Sequence, residues 1–141
     1  MEQGRQAACH AFGCHVSNSM ANFPFGIYAV PEMSMVGMTE QQLLEKGIPY
    51  ETGIARMRET ARGQIMGLEQ GMLKLLISLE DQKLLGVHIL GEGATELIHI
   101  GQVVYVLEGT LDYFLQNIFN YPTLAEVYKV AALDAWNRMP G

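Results

Sequence analysis

The stretch from Met72 to Leu90 constrains the fold of this chain more than any other. Leu73, Leu75, Ile77 and Leu79 alternate with Met72, Lys74, Leu76 and Ser78, a period of two that suits a strand and not a helix. Glu80-Asp81-Gln82-Lys83 makes a turn, and Leu84 to Leu90 returns with Leu85, Val87 and Ile89 set against Leu84, Gly86, His88 and Leu90. A lone hairpin is barely stable in water, so this one needs further strands or a helix on its apolar face. His88 is expected as a strand residue at a layer boundary.

Gly91 and Gly93 bracket a turn into the longest helical pattern. There Ala94, Leu97, Ile98, Gly101, Val104 and Tyr105 recur at three and four. Ile100, Val103, Val106 and Leu107 widen the stripe beyond one face, so this helix is expected to be covered on two sides, one of which could be a second subunit. Gly101 costs about 1 kcal/mol against Ala in mid-helix, which predicts close approach by a neighbouring element.

Residues 2–12 read as helix, ended by Gly13, with a linker over 14–24. Ile27 to Val30 is a short β-prone run stopped by Pro31. Met33 to Gly37 is extended, with Met33 and Met35 on one face and Ser34 and Val36 on the other. Thr39 caps a two-turn helix that stops at Gly47. A strand follows over 48–57, with Tyr50, Thr52 and Ile54 alternating against Glu51 and Gly53. Arg56, Arg58 and Arg62 then mark a polar, solvated stretch. Thr110 caps a short helix, and the last helix runs from Leu124 to Trp136 with a stripe of Leu124, Val127, Tyr128, Ala131, Ala132 and Ala135. The order is α+β, a small antiparallel sheet with helices on one side.

A chain of 141 residues is one domain's worth, and with nearly half its residues apolar and 17% charged it has the means to build a core. A net charge of −6 with scattered Lys and Arg gives no footprint for nucleic acid. No apolar run approaches the ~18 residues that cross a bilayer, so no membrane partner and a cytoplasmic protein are expected.

Two patches invite a metal reading. Cys9, His10, Cys14 and His15 crowd into seven residues, whereas structural zinc sites draw ligand pairs from two separate knuckles. Glu96-x-x-His99 has the spacing of a di-iron helix, but that site needs two such motifs and two further Glu. Neither is expected to hold metal. No Gly-x-Gly-x-x-Gly follows a strand anywhere, so no Rossmann unit is present.

One segment remains, Asn120-Tyr121-Pro122-Thr123-Leu124-Ala125-Glu126. Pro122 pushes Tyr121 out of the helical region, and Thr123 with Glu126 has capping-box spacing at a helix start. This segment resembles the C-terminal signature of the flavin-dependent pyridine nucleotide-disulfide oxidoreductases. In their disulfide-using members a His precedes that Pro, and a Glu a few residues on orients it. Here Tyr121 stands in the His position, which counts against dithiol acid–base chemistry. The pattern is similar to the soluble transhydrogenase branch, which lacks the redox disulfide. Further matches run in the same order, namely Gln-Gly-Arg-x-Ala-Ala in the first helix, Pro31-Glu32 to Thr39-Glu40, the Leu73 to Gly91 hairpin, and Glu96 to Gln102.

The resemblance implies a C-terminal dimerisation domain over 25–141, with residues 1–24 the closing helix and linker of a FAD domain not contained here. It implies a homodimer, or pairing with the missing FAD and NAD domains or a full-length relative. His99, Gly101, Tyr105 and Tyr121 would lie at the dimer interface. Tyr121 and Pro122 would reach the partner's flavin, with Thr123 and Glu126 supporting the helix start. The parent activity would be hydride transfer between NADH and NADP through FAD, with no catalytic residue in this chain, which is not expected to act alone. Two alternatives stay open. One is a small enzyme in which His88, His99 and Arg56, Arg58 and Arg62 form an anion pocket. The other is a regulatory protein that pairs with a full-length relative.

Overall fold

The Met72–Leu90 hairpin lies second and third from one edge of a five-stranded sheet. The computed structural model describes residues 2–15 and 22–139, so most of the expected linker over 14–24 lies outside the described residues. The strands are β1 (Phe25–Ile27), β2 (Met33–Gly37), β3 (Tyr50–Arg56), β4 (Met72–Ser78) and β5 (Leu84–Leu90). Their order is β1-β2-β5-β4-β3, and every pairing is antiparallel. The helices are α1 (Glu2–Ala11), α2 (Glu40–Lys46), α3 (Ala61–Met66), α4 (Ala94–Val106), α5 (Leu111–Gln116) and α6 (Glu126–Arg138).

The alternation in β4 decides the layers. Leu73, Leu75 and Ile77 are fully buried and join Val87, Ile89 and Val36 in one core under α4, α5 and α6. Lys74 and Leu76 point to the other face, where Lys74 pairs with His88 across β5 and Thr52 pairs with Leu76 across β3. There the short α2 covers one end. Its first residue, Glu40, forms an ion pair with Lys74 and accepts a hydrogen bond from the Tyr50 hydroxyl at 3.2 Å, while Leu43 is fully buried. The helices with long apolar stripes thus share one side, as an α+β layering requires.

Several boundaries depart from expectation. A bulge between Leu76 and Ile77 pairs Ile77 with Leu84, so Leu84 and not Leu85 joins the core. On the other edge of β5 the Leu85 carbonyl accepts the Met38 N–H at 2.9 Å, extending the β2–β5 ladder by one residue. Leu79 lies beyond the strand and is exposed. β1 begins two residues before the expected Ile27–Val30 run, because pairing with Met33–Met35 selects Phe25–Ile27. α2 is capped as expected, with Thr39 and Gln42 forming a reciprocal box and Gly47 left-handed at φ 67°. Thr110 precedes α5 without a side-chain capping bond. α1 ends at Ala11, two residues before the left-handed Gly13 (φ 66°), and buries no side chain.

Candidate functional site

The Tyr121 turn and the outer surface of α4 form the region to which the sequence motifs lead. α6 starts at Glu126, two residues later than expected, with Ala125 and not Thr123 at its N-cap. The Thr123 hydroxyl turns back to donate to the Asn120 carbonyl at 2.7 Å, so it closes the turn and does not cap the helix. Glu126 plays the return half of a capping box, its Oε2 accepting the Thr123 N–H at 3.1 Å. The Lys129 Nζ donates to the Asn117 carbonyl at 2.9 Å, tying α6 to the segment before the turn. The Tyr121–Pro122 bond is cis, and Tyr121 is 75% exposed. Leu124 packs towards Gly93, at the beginning of α4.

α4 has no side chain of its own at its N-cap, Gly93. Glu32, from the loop before β2, supplies one: its Oε2 accepts the Thr95 N–H at 3.1 Å and the Thr95 hydroxyl at 2.7 Å. Those bonds hold the Glu32 carboxyl below its ordinary pKa, and they place a negative charge at the helix's positive end. Facing the sheet, Ala94, Ile98, Gly101 and Val104 are buried. On the outside, Val103, Val106 and Leu107 are exposed, Leu107 by 74%. This is the second apolar side that the widened stripe predicts, and none of the described residues buries it.

The four expected interface residues part company here. His99 is exposed on α4 and donates from Nδ1 to Gln102 Oε1 at 2.9 Å, one turn along. Tyr121 is exposed. Tyr105 is half-buried against the core, its ring beside Gly37. Gly101 is buried within the chain, between Val87 of β5 and the Tyr128 hydroxyl, so the close neighbour that a mid-helix glycine predicts is found inside the chain.

The anion pocket does not assemble. His88 faces away from Val87 on the side of the sheet opposite α4, whereas His99 is on the outer surface of α4, so the sheet stands between them. Arg56, Arg58 and Arg62 are all exposed, and Arg56 pairs with Glu59 at 3.4 Å. His88 Nε2 donates to the Met38 carbonyl at 3.0 Å, and burial pushes its pKa below the ordinary histidine value. With Lys74, Phe25, Ile27, Met33 and Leu90 it lines a shallow depression of about 480 Å³. Among the described residues no group of three His, Cys, Asp or Glu could hold a metal ion, and Cys9 and Cys14 are free thiols. No helix among them is long and apolar enough to cross a membrane.

Three contacts escaped the sequence patterns. The Asp134 carboxylate accepts the Ile54 N–H of edge strand β3 at 2.8 Å. Glu32 caps α4, and the Tyr128 hydroxyl bonds to the α4 backbone. In the sequence each is a polar group in or beside an apolar stripe, which marks a buried hydrogen bond without naming its partner.

Residues 23–132 match the family described as pyridine nucleotide-disulphide oxidoreductase, dimerisation domain. The chain is 57% identical over 139 residues to the soluble pyridine nucleotide transhydrogenase of Mycobacterium bovis, which aligns with 99% of this chain and 30% of its own length. It is 48% identical to the enzyme of that name from Marinomonas, again over 30% of the relative. The chain therefore spans about a third of the length of these curated relatives. In fold it is similar to LpdA from Mycobacterium tuberculosis, with a TM-score of 0.81 at 24% identity over 94% of this chain and 29% of that one. It is also similar to the Escherichia coli flavoprotein disulfide reductase RclA, with a TM-score of 0.75 at 26% identity over 79% of this chain and 25% of RclA. The matched span holds all five strands, α2 to α5, the Tyr121 turn and half of α6, and this chain belongs to the dimerisation-domain family of the pyridine nucleotide-disulphide oxidoreductases.

Proposed function

We propose that this chain is the pairing unit of a transhydrogenase-like flavoprotein, and that it pairs with a second copy of itself through the outer face of α4. Residues 25–141 are that unit, and residues 1–24 lead into it. The observation that carries the reading is the exposed apolar row Val103, Val106 and Leu107, on a helix whose other side is already sealed by its own core. His99, one turn before Val103, is exposed beside that row, and Tyr121 is exposed on the turn before α6.

In the full assembly, hydride would pass between NADH and NADP through FAD, and those cofactors would supply all the redox chemistry. This chain's part is to hold two subunits in register and to present the Tyr121-Pro122 turn to the partner's flavin. Tyr121 would shape the surroundings of the ring and offer a hydrogen bond. Glu126 and Thr123 would fix the turn. With Tyr in the His position, no dithiol acid–base role is assigned.

Dilution of the isotope-labelled chain followed by amide NMR tests the pairing. The resonances of Val103, Val106, Leu107 and their neighbours should move with concentration, while those of β3 and β4 stay fixed. Concentration shifts confined to the opposite face of the sheet, or none at all, would rule the reading out. The flavin role is tested by placing this chain at the matching segment of a full-length relative. Tyr121→Ala should then alter flavin fluorescence while the protein still sediments as a dimer.

A further inference from the structure

Tyr128 is fully buried in α6, stacked on Phe114 with ring centroids 5.2 Å apart. Its hydroxyl accepts the Gly101 N–H at 3.1 Å and donates to the Leu97 carbonyl at 2.8 Å. Residues 97 and 101 are four apart, so these two groups are the acceptor and donor of a single turn of α4. A phenol from a neighbouring helix therefore bridges that turn, and side-chain insertion of this kind sets the local bend of a helix. Room for it exists only because residue 101 is Gly. A Cβ there would stand 2.9 Å from the hydroxyl and 2.8 Å from Val87 Cγ2. A Phe at 128 would stack on Phe114 as well, so packing alone does not call for the oxygen.

We propose that the Tyr128 hydroxyl is a positioning group for the pairing surface. From the core side it fixes the Leu97–Gly101 turn, and so sets the direction in which Val103, Val106 and Leu107 face a second copy. This rests on the reading of α4's outer face as the interface. Burial pushes the phenol's pKa far above the ordinary tyrosine value, so both hydrogen bonds persist across any working pH. Tyr128 touches neither the partner nor solvent, and its effect on pairing passes entirely through α4.

The test is Tyr128→Phe in the full chain, read by the dimer dissociation constant from sedimentation velocity and by hydrogen exchange at the Gly101 amide. Pairing should weaken roughly tenfold and Gly101 should exchange roughly tenfold faster, the consequence of one unpartnered buried backbone bond. Leu43→Ala, on the opposite face of the sheet, serves as the comparator. It should lower thermal stability and leave the dissociation constant unchanged. Gly101→Ala should weaken pairing by displacing the hydroxyl, and should add less in the Tyr128→Phe background than alone. An unchanged dissociation constant in Tyr128→Phe, or an equal loss in Leu43→Ala, would reduce Tyr128 to a core residue and overturn the proposal. A wild-type chain that does not self-associate would instead overturn the interface reading, and this inference with it, before any variant is made.

Discussion

α4 and α6 are both 13-residue helices on the same face of one sheet, and both leave apolar side chains exposed (Leu133 and Trp136 on α6), yet they meet the sheet in different ways. α6 lies close in: Ala131, Ala132 and Ala135 are fully buried, and a Cβ on Gly53 would run into the Ala131 carbonyl. Asp134 adds a hydrogen bond to the edge of β3. α4 meets the sheet through bulkier Ile98 and Val104 with one close point at Gly101, and its outer side carries Val103, Val106 and Leu107. Small residues commit a helix to its own sheet, because backbones can then approach. An exposed apolar row marks a helix as a place where a second molecule can dock.

The sharpest way to break the α6 side is Gly53→Ala. The added methyl meets a carbonyl that cannot swing aside, so stability should fall by about 3 kcal/mol in urea unfolding. A loss under about 1 kcal/mol would mean that α6 sits less tightly than its alanines indicate. Asp134→Ala is the milder probe. It strips the Ile54 N–H of its partner at a half-buried edge and should cost about 1 kcal/mol. A more open β3 edge should also show as faster exchange at the Ile54 amide.

The smallest effect concerns neither helix, and it sharpens the contrast for that reason. His88 lies on the far face of the sheet, and burial holds its pKa below 6.5 in the fold. Lys74 beside it further disfavours the imidazolium, while Glu40 and the Met38 carbonyl favour it without reversing the shift. As pH falls through 6.5 the unfolded chain takes up a proton before the folded one, so stability declines until the folded pKa is passed. Melting temperature should therefore drop below pH 6.5, and His88→Gln should flatten that decline. Pairing through α4 should show no matching change in His88→Gln.

The sheet, the hairpin and the stripes of α4 and α6 were legible because alternation and three-four spacing are local properties of the chain. The bulge at Leu76/Ile77 was not, since the register between β4 and β5 shifts there without a break in the alternation of either strand. Thr123 and Glu126 carried the right spacing for a capping box, but the turn took the Thr123 hydroxyl for itself. Gly101 shows the deeper difficulty. A mid-helix glycine announces a close neighbour, and only the three-dimensional arrangement tells whether that neighbour is Tyr128 of the same chain or a second subunit. His99, Tyr121 and the family motifs gave no warning of this, because a resemblance transfers positions and not packing.

The most direct test of the central claim is sedimentation equilibrium of the wild-type chain beside Val103→Glu, with circular dichroism to confirm equal fold. The account predicts a wild-type mass of two chains at micromolar concentration. It predicts a mass of one chain for Val103→Glu at the same concentration, through roughly 100-fold weaker pairing, with stability changed by less than about 0.5 kcal/mol. A wild-type mass of one chain at every concentration, or a Val103→Glu variant that still sediments as two, would contradict it.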